Sequence, residues 1–165
     1  MTAVHVPYPG ESCCQGLCGQ KFYDPSLPFR HRLGCLYPGK MIFISGIPSP
    51  SSSRFSINLK SVGGQSKSNA FHFDVRFDYG NCHNEIVRNA NINGSWGQEE
   101  KSLSCPFPFR QNAFFEMIIL VDKSSFKVAV NGEHILEFRH RFPIENIDKL
   151  VIKRDVRITM IRIQG

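Results

Sequence analysis

The stretch Phe71-His72-Phe73-Asp74-Val75-Arg76-Phe77 alternates strictly between apolar and polar side chains. A period of two is typical of a β-strand, because successive side chains point to opposite faces of the sheet. One face of this strand is apolar and belongs to a core, while the other presents His72, Asp74 and Arg76 in a row. Polar side chains on a strand face usually meet only solvent, so this row by itself does not define a site.

Short strand-like runs separated by turn residues continue on both sides of this stretch. Asn131-Gly132 lies between two apolar runs and indicates a β-hairpin, because both turn positions need positive φ. Residues 114–121 are almost continuously apolar and predict a strand covered on both faces. No stretch keeps a helical period over three turns, apart from a single possible turn near residues 143–147. These patterns predict an all-β fold, an antiparallel β-sandwich.

Length and composition allow one folded domain. The 165 residues, 41% hydrophobic and 21% charged, suffice for one buried core and are too few for two ordinary domains. Residues 1–25 are rich in Cys, Gly and Pro without a periodic pattern, and predict an N-terminal extension or linker before a domain at 26–165.

No apolar run reaches the roughly 18–20 residues of a membrane helix. Nothing resembles a secretory signal, so a cytoplasmic location and free thiols are expected by default.

The net charge of +6 favours acidic partners, and nucleic acid is the usual first candidate. The basic residues are densest between positions 139 and 162, at alternating or irregular positions on predicted strands. No aromatic-rich RNA motif or basic helix accompanies them. A mildly basic, solvated face explains them better, and no nucleic-acid partner is expected.

A second polar segment follows the alternating strand. Asn89 ends an apolar run, and Trp96, Glu99 and Lys101 come shortly after it. A lone tryptophan is more often a core residue than a binding platform, but the neighbours of Trp96 are small or polar, which favours an exposed ring. Gly97 would let the chain bend so that the indole lies beside the polar row. Such a ring suits the C–H face of a sugar, while the polar groups form hydrogen bonds with its hydroxyls. A sugar that lacks a matching hydroxyl leaves a polar group unpaired, at a cost of about 1–3 kcal/mol for each group.

These motifs resemble the signature of the galectin family, which is close to His-Phe-Asn-Pro-Arg-Phe, then Val-x-Asn, then Trp-Gly-x-Glu-x-Arg. The chain reads His72-Phe73-Asp74-Val75-Arg76-Phe77, Val87-Arg88-Asn89 and Trp96-Gly97-Gln98-Glu99-Glu100-Lys101 in the same order. The resemblance covers roughly residues 26–165 and implies a concanavalin-like, jelly-roll sandwich of two antiparallel sheets. It implies a non-enzymatic lectin without a cofactor that binds β-galactosides on glycoproteins or glycolipids and does not insert into membranes. It is also compatible with homo-oligomers and with export that needs no signal peptide.

The resemblance assigns sugar contacts to seven side chains: His72, Asp74, Arg76, Asn89, Trp96, Glu99 and Lys101. The first three would meet the galactose 4-hydroxyl. Asn89 and Glu99 would meet the 6-hydroxyl, and Trp96 would stack on the ring. Arg76, Glu99 and Lys101 would reach the neighbouring glucose or N-acetylglucosamine.

Three positions depart from the signature. Asp74 stands in place of asparagine and exchanges two amide donors for a carboxylate, which could pair with Arg76. Lys101 stands in place of arginine and loses the planar, bidentate guanidinium. Val75 replaces proline, which affects mainly the strand geometry. The alternative function is therefore a galectin-related scaffold with weakened, altered or lost sugar binding that acts through protein contacts.

Enzymatic and metal-binding functions have less support. Asp74 and Glu99 could be imagined as a glycosidase pair, but nearby Arg76 and Lys101 would lower both pKa values, whereas the general acid needs a raised pKa. Cys13-Cys14-x-x-x-Cys18 is not accompanied by the second Cys-x₂₋₄-Cys pair that is usual in a zinc site. No catalytic residue and no metal ligand are therefore predicted.

Overall fold

The computed structural model describes residues 19–34, 36–63 and 67–165, and contains two six-stranded antiparallel sheets. The back sheet has the order β1-β12-β3-β8-β9-β10, and its strands are Lys21–Tyr23 (β1), Val156–Gln164 (β12), Met41–Pro48 (β3), Phe115–Val121 (β8), Ser125–Val130 (β9) and Glu133–Arg139 (β10). The groove sheet has the order β2-β11-β4-β5-β6-β7, and its strands are Phe29–Arg32 (β2), Lys149–Arg154 (β11), Arg54–Ser61 (β4), Ser68–Tyr79 (β5), Cys82–Ile92 (β6) and Ser95–Trp96 (β7). The predicted two-sheet antiparallel sandwich is confirmed.

Phenylalanine rings from both sheets form the middle of the core. Phe71 of β5 stacks on Phe126 of β9 with ring centroids 4.9 Å apart, and Phe55 of β4 stacks on Phe115 of β8 at 5.6 Å. Each of these rings is at most 1% exposed. Because such rings bury a large apolar area, they account for the cohesion of the two layers. They also explain why one face of β5 is entirely apolar.

Local sequence patterns identified several turns and strands correctly. Asn131 and Gly132 have φ values of 52° and 80° and connect β9 to β10 as a tight hairpin. On β5, the buried Phe73 points inwards while His72 points to the outer face, as the alternation predicted. A short 3-10 helix, Ile144–Asn146, occupies the expected turn. Within the described ranges, no helix is long and apolar enough to cross a membrane.

Strand β8 differs from its prediction. It was expected to be covered on both faces, but Glu116 is exposed and Ile118 and Leu120 are only half-buried. The reason is that a two-layer sandwich covers only the inner face of each sheet. A long apolar run therefore does not by itself show that a strand is enclosed on both sides.

The beginning of the sandwich also differs from expectation. Residues 21–23 were assigned to the N-terminal extension, yet they form β1 and pair with β12, for example Lys21 with Arg162. A three-residue strand is too short to show a period, and its partner lies at the other end of the chain. The cysteine motif Cys13-Cys14-x-x-x-Cys18 lies outside the described residues.

Candidate functional site

A groove of about 580 Å³ crosses the outer face of the groove sheet. Six of the seven predicted binding residues line it: His72, Asp74, Arg76, Asn89, Trp96 and Glu99. Strand register explains their convergence, because Asn89 lies directly opposite His72, and Trp96 opposite Asn91 on the same strand as Asn89. Residues that are opposite each other in antiparallel strands point to the same side of the sheet. Distant stretches of sequence thus come together on one surface.

Trp96 is the aromatic platform of this groove. Its side chain is 54% exposed, and its ring centroid lies 5.1 Å from that of His72. The two-residue strand β7 lies at the edge of the sheet, where no further strand covers the indole. The exposed ring predicted from the small and polar neighbours is confirmed. Because this ring lies in a groove lined by polar side chains, it offers an apolar surface beside hydrogen-bonding groups.

His72 is held as a neutral hydrogen-bond acceptor towards the groove. Its Nδ1 lies 2.6 Å from Oδ1 of Asn58, whose Nδ2 donates to the Val151 carbonyl at 3.2 Å. Because the carbonyl fixes the Asn58 amide, its oxygen faces His72, and Nδ1 of His72 must carry the proton. Burial lowers the pKa of His72 to about 4, although the neighbouring Asp74 carboxylate acts in the opposite direction. The imidazole is therefore neutral near pH 7 and leaves Nε2 as an acceptor.

Asp74 is buried at the floor of the groove. Its Oδ2 accepts a hydrogen bond from Nε of Arg76 at 2.8 Å, and Nη1 of Arg54 lies 3.7 Å away. Its Oδ1 is also buried and has no hydrogen-bond partner in the described part of the chain. A buried acceptor without a donor is energetically unfavourable. The pairing of Asp74 with Arg76, which the sequence left open, is observed.

Arg54 is a groove residue that the sequence prediction missed. Its guanidinium lies 3.8 Å from the centre of the Tyr79 ring, and it is opposite Arg76 in the pairing of β4 with β5. Like charges that face each other across strands are unfavourable, and the Asp74 carboxylate between them offsets the repulsion. An alternating pattern can show which face Arg54 occupies, but it cannot show the register.

Lys101 lies beside the groove rather than in its lining. Its Nζ is 3.4 Å from Oε2 of Glu85 and 3.9 Å from Oε2 of Glu99, and it is 3.7 Å from Sγ of Cys82. The lysine and both carboxylates are more than a third exposed, so these ion pairs are weak. Glu99, by contrast, lines the groove as predicted. The structure therefore connects Lys101 to the site through Glu99.

Asn89 is almost completely buried at the base of the groove, with 4% of its surface exposed. Its Nδ2 donates to the Gly97 carbonyl at 2.8 Å, and its Oδ1 accepts from the backbone N–H of Ala90 at 2.8 Å. Arg141, which the sequence did not single out, also donates to Oδ1 at 2.9 Å. These bonds tie strand β6 to the segment that follows Trp96.

The described residues contain no group of three or more His, Cys, Asp or Glu side chains that could hold a metal ion. Cys82 and Cys105 are free thiols, of which Cys82 is buried. The groove offers hydrogen bonds, charge and the exposed aromatic rings of Trp96 and Tyr79. An open polar groove with an exposed tryptophan on one sheet of a β-sandwich is the arrangement of a carbohydrate-binding lectin domain.

Comparisons with known proteins agree with this class. The family model described as galactoside-binding lectin matches residues 28–163. Galectin-4 of Bos taurus is 37% identical over 161 residues, which is 97% of this chain and 45% of the relative. Galectin-8 of Rattus norvegicus is 38% identical over 139 residues, 83% of this chain and 42% of the relative. The chain belongs to the galectin family, and spans about half the length of these relatives.

Solved structures share the fold. The galectin LEC-6 of Caenorhabditis elegans has a TM-score of 0.77 with 24% sequence identity, covering 88% of this chain and 96% of that one. A variant of human galectin-16 has a TM-score of 0.75 with 25% identity, covering 87% and 99%. The predicted galectin-type sandwich is thereby confirmed. Galectins are non-enzymatic lectins, as the resemblance implied.

Proposed function

We propose that the groove binds β-galactosides, with the galactose ring stacked on Trp96. The observation that carries the proposal is the exposed indole, 54% accessible and 5.1 Å from the His72 ring. A pyranose has an apolar C–H patch on one face, and an aromatic ring covers it at little entropic cost. The polar row beside the ring is then left to read the hydroxyls.

Discrimination of galactose from glucose depends on the axial 4-hydroxyl. His72 offers Nε2 as an acceptor, and Arg76 offers guanidinium donors on the same face of β5. One hydroxyl can donate to the first and accept from the second. The equatorial epimer would leave these groups unpaired, at about 1–3 kcal/mol for each group. Asn89 and Glu99 are the proposed partners of the 6-hydroxyl.

Asp74 and Lys101 alter this recognition relative to the galectin signature. The Asp74 carboxylate accepts the hydrogen bond from Nε of Arg76, and it has no donor of its own, whereas the amide of an asparagine would supply donors. Lys101 offers a single ammonium instead of a fork and is held between Glu85 and Glu99. We therefore expect binding that is weaker than the full signature would give, above all at the second sugar. Glycans on glycoproteins or glycolipids are the proposed partners, and multivalency through homo-oligomers would compensate for weak single-site binding.

The alternative function is a scaffold that has lost useful sugar affinity and acts through protein contacts. The observation that favours it is the 2.8 Å bond from Arg76 to Asp74, because this bond withholds one donor from the groove. Nη1 of Arg76 also contacts Sγ of Cys82 at 3.3 Å. The scaffold is second because the guanidinium keeps further donors, and the neutral His72 and the exposed Trp96 face the groove.

Intrinsic fluorescence separates the two functions, since Trp96 is the only tryptophan in the chain. The protein is titrated with lactose, and with maltose as the control disaccharide that lacks galactose. A saturable change with lactose alone is expected. A folded protein that gives no response up to high millimolar lactose would reject β-galactoside binding and favour the scaffold.

A further inference from the structure

Arg141 joins the two sheets at the base of the groove. It follows β10 of the back sheet, and its guanidinium lies 4.7 Å from the centre of the Phe138 ring. From there it reaches across to the groove sheet. Nη1 donates to Oδ1 of Asn89 at 2.9 Å, and Nη2 donates to the Gln98 carbonyl at 2.9 Å and to Oε2 of Glu100 at 2.6 Å. One side chain thus connects β6 with the segment that carries the groove residues after Trp96.

These contacts determine which way the Asn89 amide points. Its Oδ1 faces two groups that can only donate, the Arg141 guanidinium and the Ala90 backbone N–H. Its Nδ2 faces the Gly97 carbonyl, which can only accept. A flipped amide would place donors against donors and oxygen against oxygen. Asn89 therefore keeps one orientation, in which the second Nδ2 hydrogen is the group left for a ligand.

The same contacts leave little room for a side chain after the tryptophan. A Cβ at Gly97 would lie 3.0 Å from Nη1 of Arg141 and 3.3 Å from Oδ1 of Asn89. The segment between Trp96 and Glu99 is held at both of its middle residues, at Gly97 by Asn89 and at Gln98 by Arg141. Three acceptors around one planar fork match a guanidinium, and a lysine ammonium is a single point that cannot span them.

We infer that Arg141 is a positioning residue of the groove, which makes Asn89 a hydrogen-bond donor to a ligand oxygen and holds the segment that carries Glu99 in register with it. Arg141 touches no sugar in this arrangement and acts through the groups it binds. The inference rests on the proposed function where sugar recognition is concerned. The amide orientation itself stands on the protein alone, so the two can be tested separately.

The first test uses the protein without sugar. Side-chain amide signals of Asn89 are followed by NMR in the wild type, in Arg141→Lys and in the control Arg139→Lys, which changes an exposed arginine two positions earlier. A protected, well-separated NH₂ pair is expected in the wild type and in the control. Arg141→Lys should shift the pair and speed its hydrogen exchange. Unchanged Asn89 signals in a folded Arg141→Lys protein would overturn the inference.

The second test compares lactose with 6′-deoxylactose by calorimetry. The wild type should prefer lactose, and Arg141→Lys should lose roughly tenfold in affinity for lactose while its affinity for the deoxy sugar changes little. A merely structural role would weaken both sugars equally, and that outcome would also overturn the inference. Gly97→Ala supplies a second variant, since it crowds the same contacts and should produce the same selective loss. If the wild type binds neither sugar, the proposed function fails and the role of Arg141 in recognition fails with it, while the NMR result still decides the orientation of Asn89.

Discussion

Nε of Arg76 donates to Oδ2 of Asp74 at 2.8 Å, between two residues that lie on the same face of one strand. Arg54 is opposite Arg76 on the next strand and approaches the same carboxylate oxygen. A single carboxylate thus separates two arginines whose charges would otherwise repel each other. Its second oxygen, Oδ1, has no partner among the residues that the structure describes. The Asp74 carboxylate offers only acceptors, one of which restrains Arg76. An asparagine at this position would also offer an NH₂ donor.

Asp74→Asn should increase the affinity for lactose by roughly three- to tenfold. The substitution releases Nε of Arg76 and restores amide donors to the floor of the groove. Calorimetry measures the effect, with Asp78→Asn as a matched control on the exposed end of the same strand. An affinity that stays the same or falls would show that the carboxylate is not what limits binding.

Lys101→Arg should strengthen binding of lactose about two- to fivefold and leave binding of methyl β-galactoside nearly unchanged. The guanidinium can reach Glu99 and a second sugar together, whereas the ammonium is held by exposed carboxylates. Lys123→Arg, in an exposed turn, controls for the general effect of an added guanidinium. Equal gains for the disaccharide and the monosaccharide would contradict the assignment of Lys101 to the second sugar.

Trp96→Ala should abolish measurable lactose binding while changing stability by less than about 1 kcal/mol. The side chain is 54% exposed, so the substitution removes only part of the area that a tryptophan can bury on folding. Phe114→Ala is a closely matched control, because that ring is also 54% exposed but lies outside the groove lining. Calorimetry and urea unfolding are measured on both variants. Loss of binding in the Phe114 variant, or a large loss of stability in the Trp96 variant, would contradict this prediction.

His72 should make the protein less stable as the pH falls. Burial lowers its pKa to about 4 in the folded state, whereas a histidine in an unfolded chain titrates near 6.5. The unfolded state therefore binds the proton more readily, and the contribution of neutral His72 is complete above about pH 6.5 and is lost as the pH falls towards about 4. The expected loss is up to about 3 kcal/mol.

Urea unfolding of the wild type and of His72→Gln, at about pH 7, 5.5 and 4, isolates this contribution as the difference between the two proteins. That difference should shift against the wild type as the pH decreases. His134→Gln, at an exposed histidine, is the control and should give a much smaller change. A difference that does not vary with pH would contradict the burial of a neutral imidazole.

The amino-acid sequence by itself determined the strand class and the hairpin at Asn131-Gly132, while the seven predicted groove residues came from the resemblance to a family signature, and six of them line the groove. The strand class and the hairpin depend on short-range chemistry. Side chains two positions apart share a face of a strand, and Asn-Gly adopts the positive φ values of a tight turn without help from distant residues. The exposure of Trp96 could also be predicted, because its immediate neighbours are small or polar.

Tertiary structure alone decided the strand formed by residues 21–23, the open outer face of β8 and the roles of Asn58 and Arg141. Each depends on which strands pair, in what register, and how the two sheets are stacked. Asn58 sets the proton of His72 only because β4 and β5 pair with those residues opposite each other. Arg141 reaches Asn89 from the other sheet, 52 positions away along the chain. No local pattern encodes such a contact, because its energy depends on groups that only the folded sandwich brings within hydrogen-bonding distance.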